Sequence, residues 1–167
     1  LSLKTKRLYN RVKPLCSSKV SIWDTSLLNT IANTSIDRHW VFISTAKEEL
    51  EPLFNQMLDF SKQIFLQPDK DVISRYMMPQ NDAIIITPLI SETPLEQTGD
   101  YTSPSIEGLL VNAWLKNESY LQPLGFDILE IFKKAFEKYT VNQSKLLRYA
   151  ARRDKRKEIN ELIKTIA

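Results

Sequence analysis

The run Ala83-Ile84-Ile85-Ile86, stopped two residues later by Pro88, has no polar residue to turn toward water. A strand with one wet face alternates apolar and polar residues, so an uninterrupted apolar run suits a central strand covered on both faces. A chain containing such a strand has to supply helices to both sides of a sheet, which points to an α/β layer arrangement.

Two further segments read as strands. Trp40-Val-Phe-Ile-Ser44 is aromatic and β-branched, and Lys62-Gln-Ile-Phe-Leu66 is short and closed by Pro68. Leu109-Leu-Val-Asn112 is a fourth strand candidate, after which Trp114-Leu115 opens a short helix. Between the first two strands, Thr45-Ala-Lys-Glu48 has the spacing of a capping box. Leu50, Leu53, Phe54, Met57 and Leu58 then share one helical face, with Pro52 either kinking the helix or starting it. Asp127 is placed to cap a helix whose Leu129, Phe132, Phe136 and Tyr139 lie together. A final helix, roughly 144–166, gathers Ile159, Leu162, Ile163 and Ile166 on one side. Residues 17–37 read as a loop with at most one helical turn, and 89–108 as a long surface loop. The expected fold is a small, mostly parallel four-stranded sheet flanked by helices, with additional N- and C-terminal helices.

Charge is distributed unevenly. Residues 1–20 hold six bases and no acid, and 144–167 hold eight bases against three acids; with a net charge of +3 overall, the stretch between them carries −8. Three units follow: a basic N-terminal arm and packed helical or loop segment (1–39), an α/β core (40–143) and a basic C-terminal helix (144–167). The 167 residues suffice for one domain, and the apolar and charged fractions of 43% and 26% are those of a globular protein. No apolar run is long enough for a membrane helix, and no membrane partner is expected. The chain reads as a piece of a larger polypeptide, nuclear or alternatively cytoplasmic.

The inventory of reactive groups is thin. Histidine occurs once (His39), cysteine once (Cys16) and glycine three times, at Gly99, Gly108 and Gly125, each isolated. A lone histidine and a lone cysteine make neither a His-rich nor a Cys-based metal site, and scattered glycines make no phosphate-cradling loop. No catalytic residue, metal or cofactor is expected, and the chain is read as non-catalytic. Arg148, Arg152, Arg153, Lys155, Arg156 and Lys157 in the last helix are candidates for non-specific contact with DNA or RNA phosphates. Thr93-Pro94 and Ser103-Pro104 are candidate phosphorylation sites in the long loop.

The order of strand, helix, strand, strand, strand and then Trp114-Leu115, together with the apolar strand ending Ile84-Ile-Ile-Thr-Pro88, resembles a BRCT domain over about residues 40–125. That resemblance implies a non-catalytic scaffold that binds another protein or peptide in DNA repair, replication or chromatin silencing. It also implies Ser44 or Thr45, just after the first strand, as candidate phosphopeptide contacts. The sequence departs from the family pattern: Phe60-Ser-Lys62 replaces a glycine pair, Leu89 to Gly108 shows no second helix, the glycine beside the Ser44 or Thr45 position is missing, and no lysine lies between Asp71 and Lys116.

Overall fold

The computed structural model describes residues 1–166. The chain opens with helix α1 (Leu3–Val12), capped by the Ser2 hydroxyl accepting from the Thr5 N–H, and it buries Thr5, Tyr9 and Val12. Pro14 closes it in a short 3-10 turn. Strand β1 (Ser21–Asp24) leads directly into α2 (Thr25–Ala32), because the Asp24 carboxylate accepts from the Leu27 N–H as the helix cap. Strand β2 (His39–Thr45), helix α3 (Leu50–Met57), strand β3 (Ile64–Leu66), helix α4 (Lys70–Val72) and strand β4 (Asp82–Pro88) follow. A two-stranded hairpin, β5 (Leu95–Thr98) and β6 (Tyr101–Pro104), then gives way to helices. These are α5 (Ile106–Lys116), α6 (Gln122–Leu124), α7 (Ile128–Lys138), α8 (Gln143–Arg152) and α9 (Arg156–Ile166).

The main sheet has the order β1-β2-β4-β3. β2 and β3 both run parallel to β4, with Ser44 beside Thr87 and Leu66 beside Ile86, whereas β1 pairs antiparallel to β2. Strand β4 lies between two neighbours, and its Ile85 and Ile86 are both fully buried. Successive side chains on a strand point to opposite faces. Ile85 accordingly packs with Trp23, Trp40 and Phe42 against α2 and α5–α9, while Ile86 packs with Ile22, Val41 and Ile43 against α1 and α3. The apolar run is central and covered on both sides.

Several sequence expectations are corrected. The sheet is mixed rather than mostly parallel, because the Ser-, Thr- and Asn-rich stretch read as a loop contributes β1 and α2. Leu109, Leu110 and Val111 are not a strand: they are buried in α5, and Trp114-Leu115 falls in the last turn of that helix rather than opening one. The main sheet therefore lacks the last parallel strand that the BRCT likeness implies. The segment 89–108 is not a continuous loop, since Gly99-Asp100 is the two-residue turn of the β5–β6 hairpin. The expected capping box at Thr45 is absent: the Thr45 hydroxyl donates to the Lys19 carbonyl, and α3 begins at Leu50 with Pro52 inside its first turn. The single C-terminal helix is two helices, broken where Asp154 adopts φ +60°. Asp127 does cap α7, its carboxylate accepting from the Leu129 and Glu130 N–H groups. Ile128, Ile131, Phe132 and Ala135 form the buried face of that helix, leaving Leu129 exposed.

A cationic cleft at the carboxyl edge of the sheet as candidate functional site

In an α/β sheet the carboxyl ends of parallel strands are where a crevice opens, because the chain there turns away to either face. Here Ser44 at the end of β2, Thr87 near the end of β4 and Gln67 just after β3 converge on one cleft of about 290 Å³. The Ser44 and Thr87 hydroxyls lie 3.2 Å apart across the β2–β4 pairing. Gln67 sits at φ +43°, a left-handed conformation that costs a non-glycine residue energy, and its N–H is bonded to the Ile86 carbonyl.

The opposite wall comes from the helical layer. Lys116, the last residue of α5, reaches the cleft over aromatic ground, its ammonium 5.4 Å from the Phe42 ring and 5.6 Å from the Tyr120 ring. Arg153, at the corner between α8 and α9, donates to the Tyr149 hydroxyl at 2.9 Å, and that hydroxyl donates to the Asn112 Oδ1 at 2.8 Å. Arg153 is thus held in place with donors to spare. Lys116 makes no hydrogen bond or ion pair among the described residues. Among the described residues no carboxylate lines the cleft. Burial, and then the Arg153 charge, pull the Lys116 ammonium from its ordinary 10.5 down to about 8. Burial alone pushes the Tyr120 phenol up to about 12.

The sequence-selected residues are distributed as follows. Ser44 lines the cleft; Thr45 is buried on the other side of the strand end. Arg153 is in the cleft, and Arg152 donates through Nε to Ser91 Oγ at 2.9 Å on the loop that forms one rim. Lys155 pairs with Glu158 at 3.4 Å, while Arg148, Arg156 and Lys157 are exposed. Thr93 is half-buried, lines the cleft and donates its hydroxyl to the Ile90 carbonyl; Ser103 is buried in β6. Lys116, Thr87, Gln67 and Asn112 were not selected. The position of Thr87 and Gln67 just at or after apolar strands was a usable signal, since strand ends of this type flank crevices. Asn112 and Lys116 were hidden because Leu109-Leu-Val-Asn112 read as a strand and Trp114-Leu115 as the opening of a separate short helix, whereas one helix, α5, carries both residues to the cleft.

A second polar cluster lies at the opposite, amino end of the sheet. The buried Asp24 carboxylate accepts from the Thr5 hydroxyl, the Ser26 hydroxyl at 2.6 Å, and the Ser2 and Leu27 N–H groups at 3.1 Å, and it lies 3.3 Å from His39 Nε2. The network ties α1 and α2 to the sheet and joins β1 to β2. Cys16 is buried, and burial followed by the Glu49 charge raises its thiol pKa, which disfavours the reactive thiolate. Among the described residues no three His, Cys, Asp or Glu side chains come together as a metal-binding group, and no helix is long and apolar enough to cross a membrane.

No curated protein and no solved structure matches the chain. One family model does, over residues 1–167, and the chain therefore belongs to the DUF6577 family, a family of unknown function.

Proposed function

We propose that this domain is a non-catalytic binding module of a larger protein and that it holds its partner through an anionic group seated between Lys116 and Arg153. One observation carries the reading: two cations face a polar cleft in which no described residue supplies a carboxylate to balance them. Withdrawing a cation from water without a counter-charge destabilises a fold. A side chain that served only packing would be replaced there by an apolar residue at no loss. Ser44 and Thr87 add hydroxyl donors on the facing wall. Among the described residues neither histidine nor carboxylate stands in the cleft to relay a proton from Lys116, which favours capture over turnover.

The test is calorimetric titration of the 167-residue chain with inorganic phosphate, at constant ionic strength set by chloride. Binding is expected for the native sequence and is expected to disappear in both Lys116→Gln and Arg153→Gln, each retaining the native circular dichroism. Equal heats from the native chain and the two folded variants would overturn the reading.

A second reading rests on exposed bases. Arg148, Arg156 and Lys157 face solvent without an acidic partner among the described residues, near the corner that carries Arg152 and Arg153. These bases supply a sequence-independent electrostatic footprint for nucleic acid. Oligonucleotide binding that weakens steeply with salt, and that is lost on replacing Arg148, Arg156 and Lys157 while Lys116→Gln leaves it intact, would favour that reading over the cleft.

A further inference from the structure

We infer that the groove beside helix α1 docks an acidic helical segment of a partner protein, which seats one apolar side chain on Ile84. The groove lies at the amino end of the sheet, away from Lys116 and Arg153, and its role is independent of anion capture in the cleft. Lys4, Arg7, Leu8 and Arg11 form one wall, at positions i, i+3, i+4 and i+7 of α1. Val41, Ala83 and Ile84 of the sheet, with Phe60 from the turn before β3, complete a groove of about 300 Å³.

The floor of the groove is an apolar surface left partly open. Ile84 pairs with Val41 on one side and Ile64 on the other, in the middle of the sheet. Ile86, two residues on and on the same face, is fully buried, whereas Ile84 is only half-buried. Leu8 and Phe60 beside it are half-buried as well. An apolar patch with a charged rim is a common form of protein-binding surface, and one partner side chain laid there removes all three residues from water.

Charge selects the sign of the partner. Three cations follow the groove, and among the described residues its one carboxylate, Asp82, is already bonded to Lys4 at 2.9 Å. Arg7 makes no hydrogen bond or ion pair among the described residues. The Arg11 guanidinium lies 3.8 Å from the centre of the Phe60 ring, a contact that orients the group and leaves its N–H donors free. Helix α1 contains no acid, so its like charges three and four residues apart repel without relief inside the helix. Spacing selects the shape. At about 1.5 Å of rise per residue, the three cations are separated along α1 by roughly 4.5 and 6 Å. A helix with acids at every third or fourth residue carries its charges at the same rise, with room for an apolar side chain between them. The phosphates of a nucleic acid would meet the cations but leave Ile84 uncovered.

The experiment is fluorescence anisotropy of a labelled helical peptide of about fourteen residues, with Glu at every third or fourth position around one central Phe, titrated with the 167-residue chain. Affinity is expected to fall about tenfold or more when the peptide's Phe is replaced by Ala, and likewise when its Glu residues are replaced by Gln. The double variant Arg7→Gln, Arg11→Gln is expected to lose a similar factor with its circular dichroism unchanged, since both side chains are exposed. Lys116→Gln leaves peptide binding as it is. Absence of binding, equal binding of the Phe and Ala peptides, or tighter binding of a DNA duplex through Arg7 and Arg11 would overturn the docking proposal and leave phosphate capture in the cleft standing. Loss of peptide binding in Lys116→Gln would move the peptide to the strand-end cleft and overturn it as well.

Discussion

Lys116 places stability and binding in opposition. Its ammonium is lowered from 10.5 to about 8, first by burial and then by Arg153, while the Tyr120 phenol beneath it is raised to about 12 and stays neutral, and no described residue lining the cleft is acidic. Between those two lysine values the unfolded chain binds more protons than the folded one. The ligand-free protein therefore gains stability as pH rises from about 8 to 10.5. Anion binding runs the other way and weakens above pH 8, because it needs the ammonium. Lys116→Met, which keeps the aliphatic stem and removes the charge, is expected to raise the melting temperature of the ligand-free protein, by roughly 1–3 kcal/mol in stability, while abolishing phosphate binding. A loss of stability in Lys116→Met would show that the side chain is a packing residue. Asp24 behaves in the opposite sense. Burial works against its ionisation, yet hydrogen bonds from His39, Ser26, Thr5 and Ser2 hold the carboxyl well below the usual carboxylate range. Its stabilisation is present above the unfolded value of 3.8 and is lost as pH falls below it toward the folded value. Asp24→Asn is expected to lose about 3 kcal/mol at neutral pH, read by denaturant unfolding, because several donors lose a charged acceptor inside the protein. A loss of under about 1 kcal/mol would mean that the network contributes little.

At the scale of elements, α5 decides most of what the sequence concealed. Leu109, Leu110 and Val111 look like a strand because all three are buried, a property shared by a buried strand and a helix packed on several sides. The distinguishing feature is Ser105, whose hydroxyl caps the helix and which sits beside Pro104, a residue easily read as loop. Gly108 is the tightest point of this helix: an added Cβ would lie 2.6 Å from the Pro94 carbonyl oxygen and 3.3 Å from Pro104 Cβ. Gly108→Ala is therefore expected to cost about 1–3 kcal/mol, measured by denaturant unfolding, through displacement of the hairpin from the helix. No change would place Pro94 farther away. The hairpin itself was readable: Gly99 at φ +62° followed by Asp100 is a two-residue turn signal, hidden among prolines that suggested irregular loop. Strand β1 was less so. Ser21-Ile-Trp-Asp24 is short and flanked by polar residues, and only its pairing with Val41 to Ser44 of β2 reveals it. The three parallel strands were legible because each is an apolar run ended by proline or a helix signal. The cleft was legible only at Ser44, Thr93 and Arg153, since assembling it requires α5 and the α8–α9 corner to be brought over the strand ends.

For the whole molecule, the basic ends are integral to the fold. Leu146, Tyr149, Ala150, Ile159, Leu162 and Ile163 of α8 and α9 belong to the same apolar cluster as Trp40 and Phe42 of the sheet. Burying a large apolar side chain contributes on the order of 1.5–3 kcal/mol, so losing the five large ones among these, besides Ala150, is on the scale of the whole stability of an ordinary domain. A chain ending at residue 142 is expected to lose its cooperative thermal transition, and a cooperative transition close to that of the full chain would contradict this packing. The same helices carry Arg153 into the cleft, so the positive C-terminal charge read from sequence serves in part an internal site rather than a uniform outer face. The most direct measurement of the central claim is phosphate binding by the 167-residue chain beside its Lys116→Met variant. Saturable binding by the native chain, absent in a variant that melts higher, is the predicted result; indistinguishable binding by the two would contradict it.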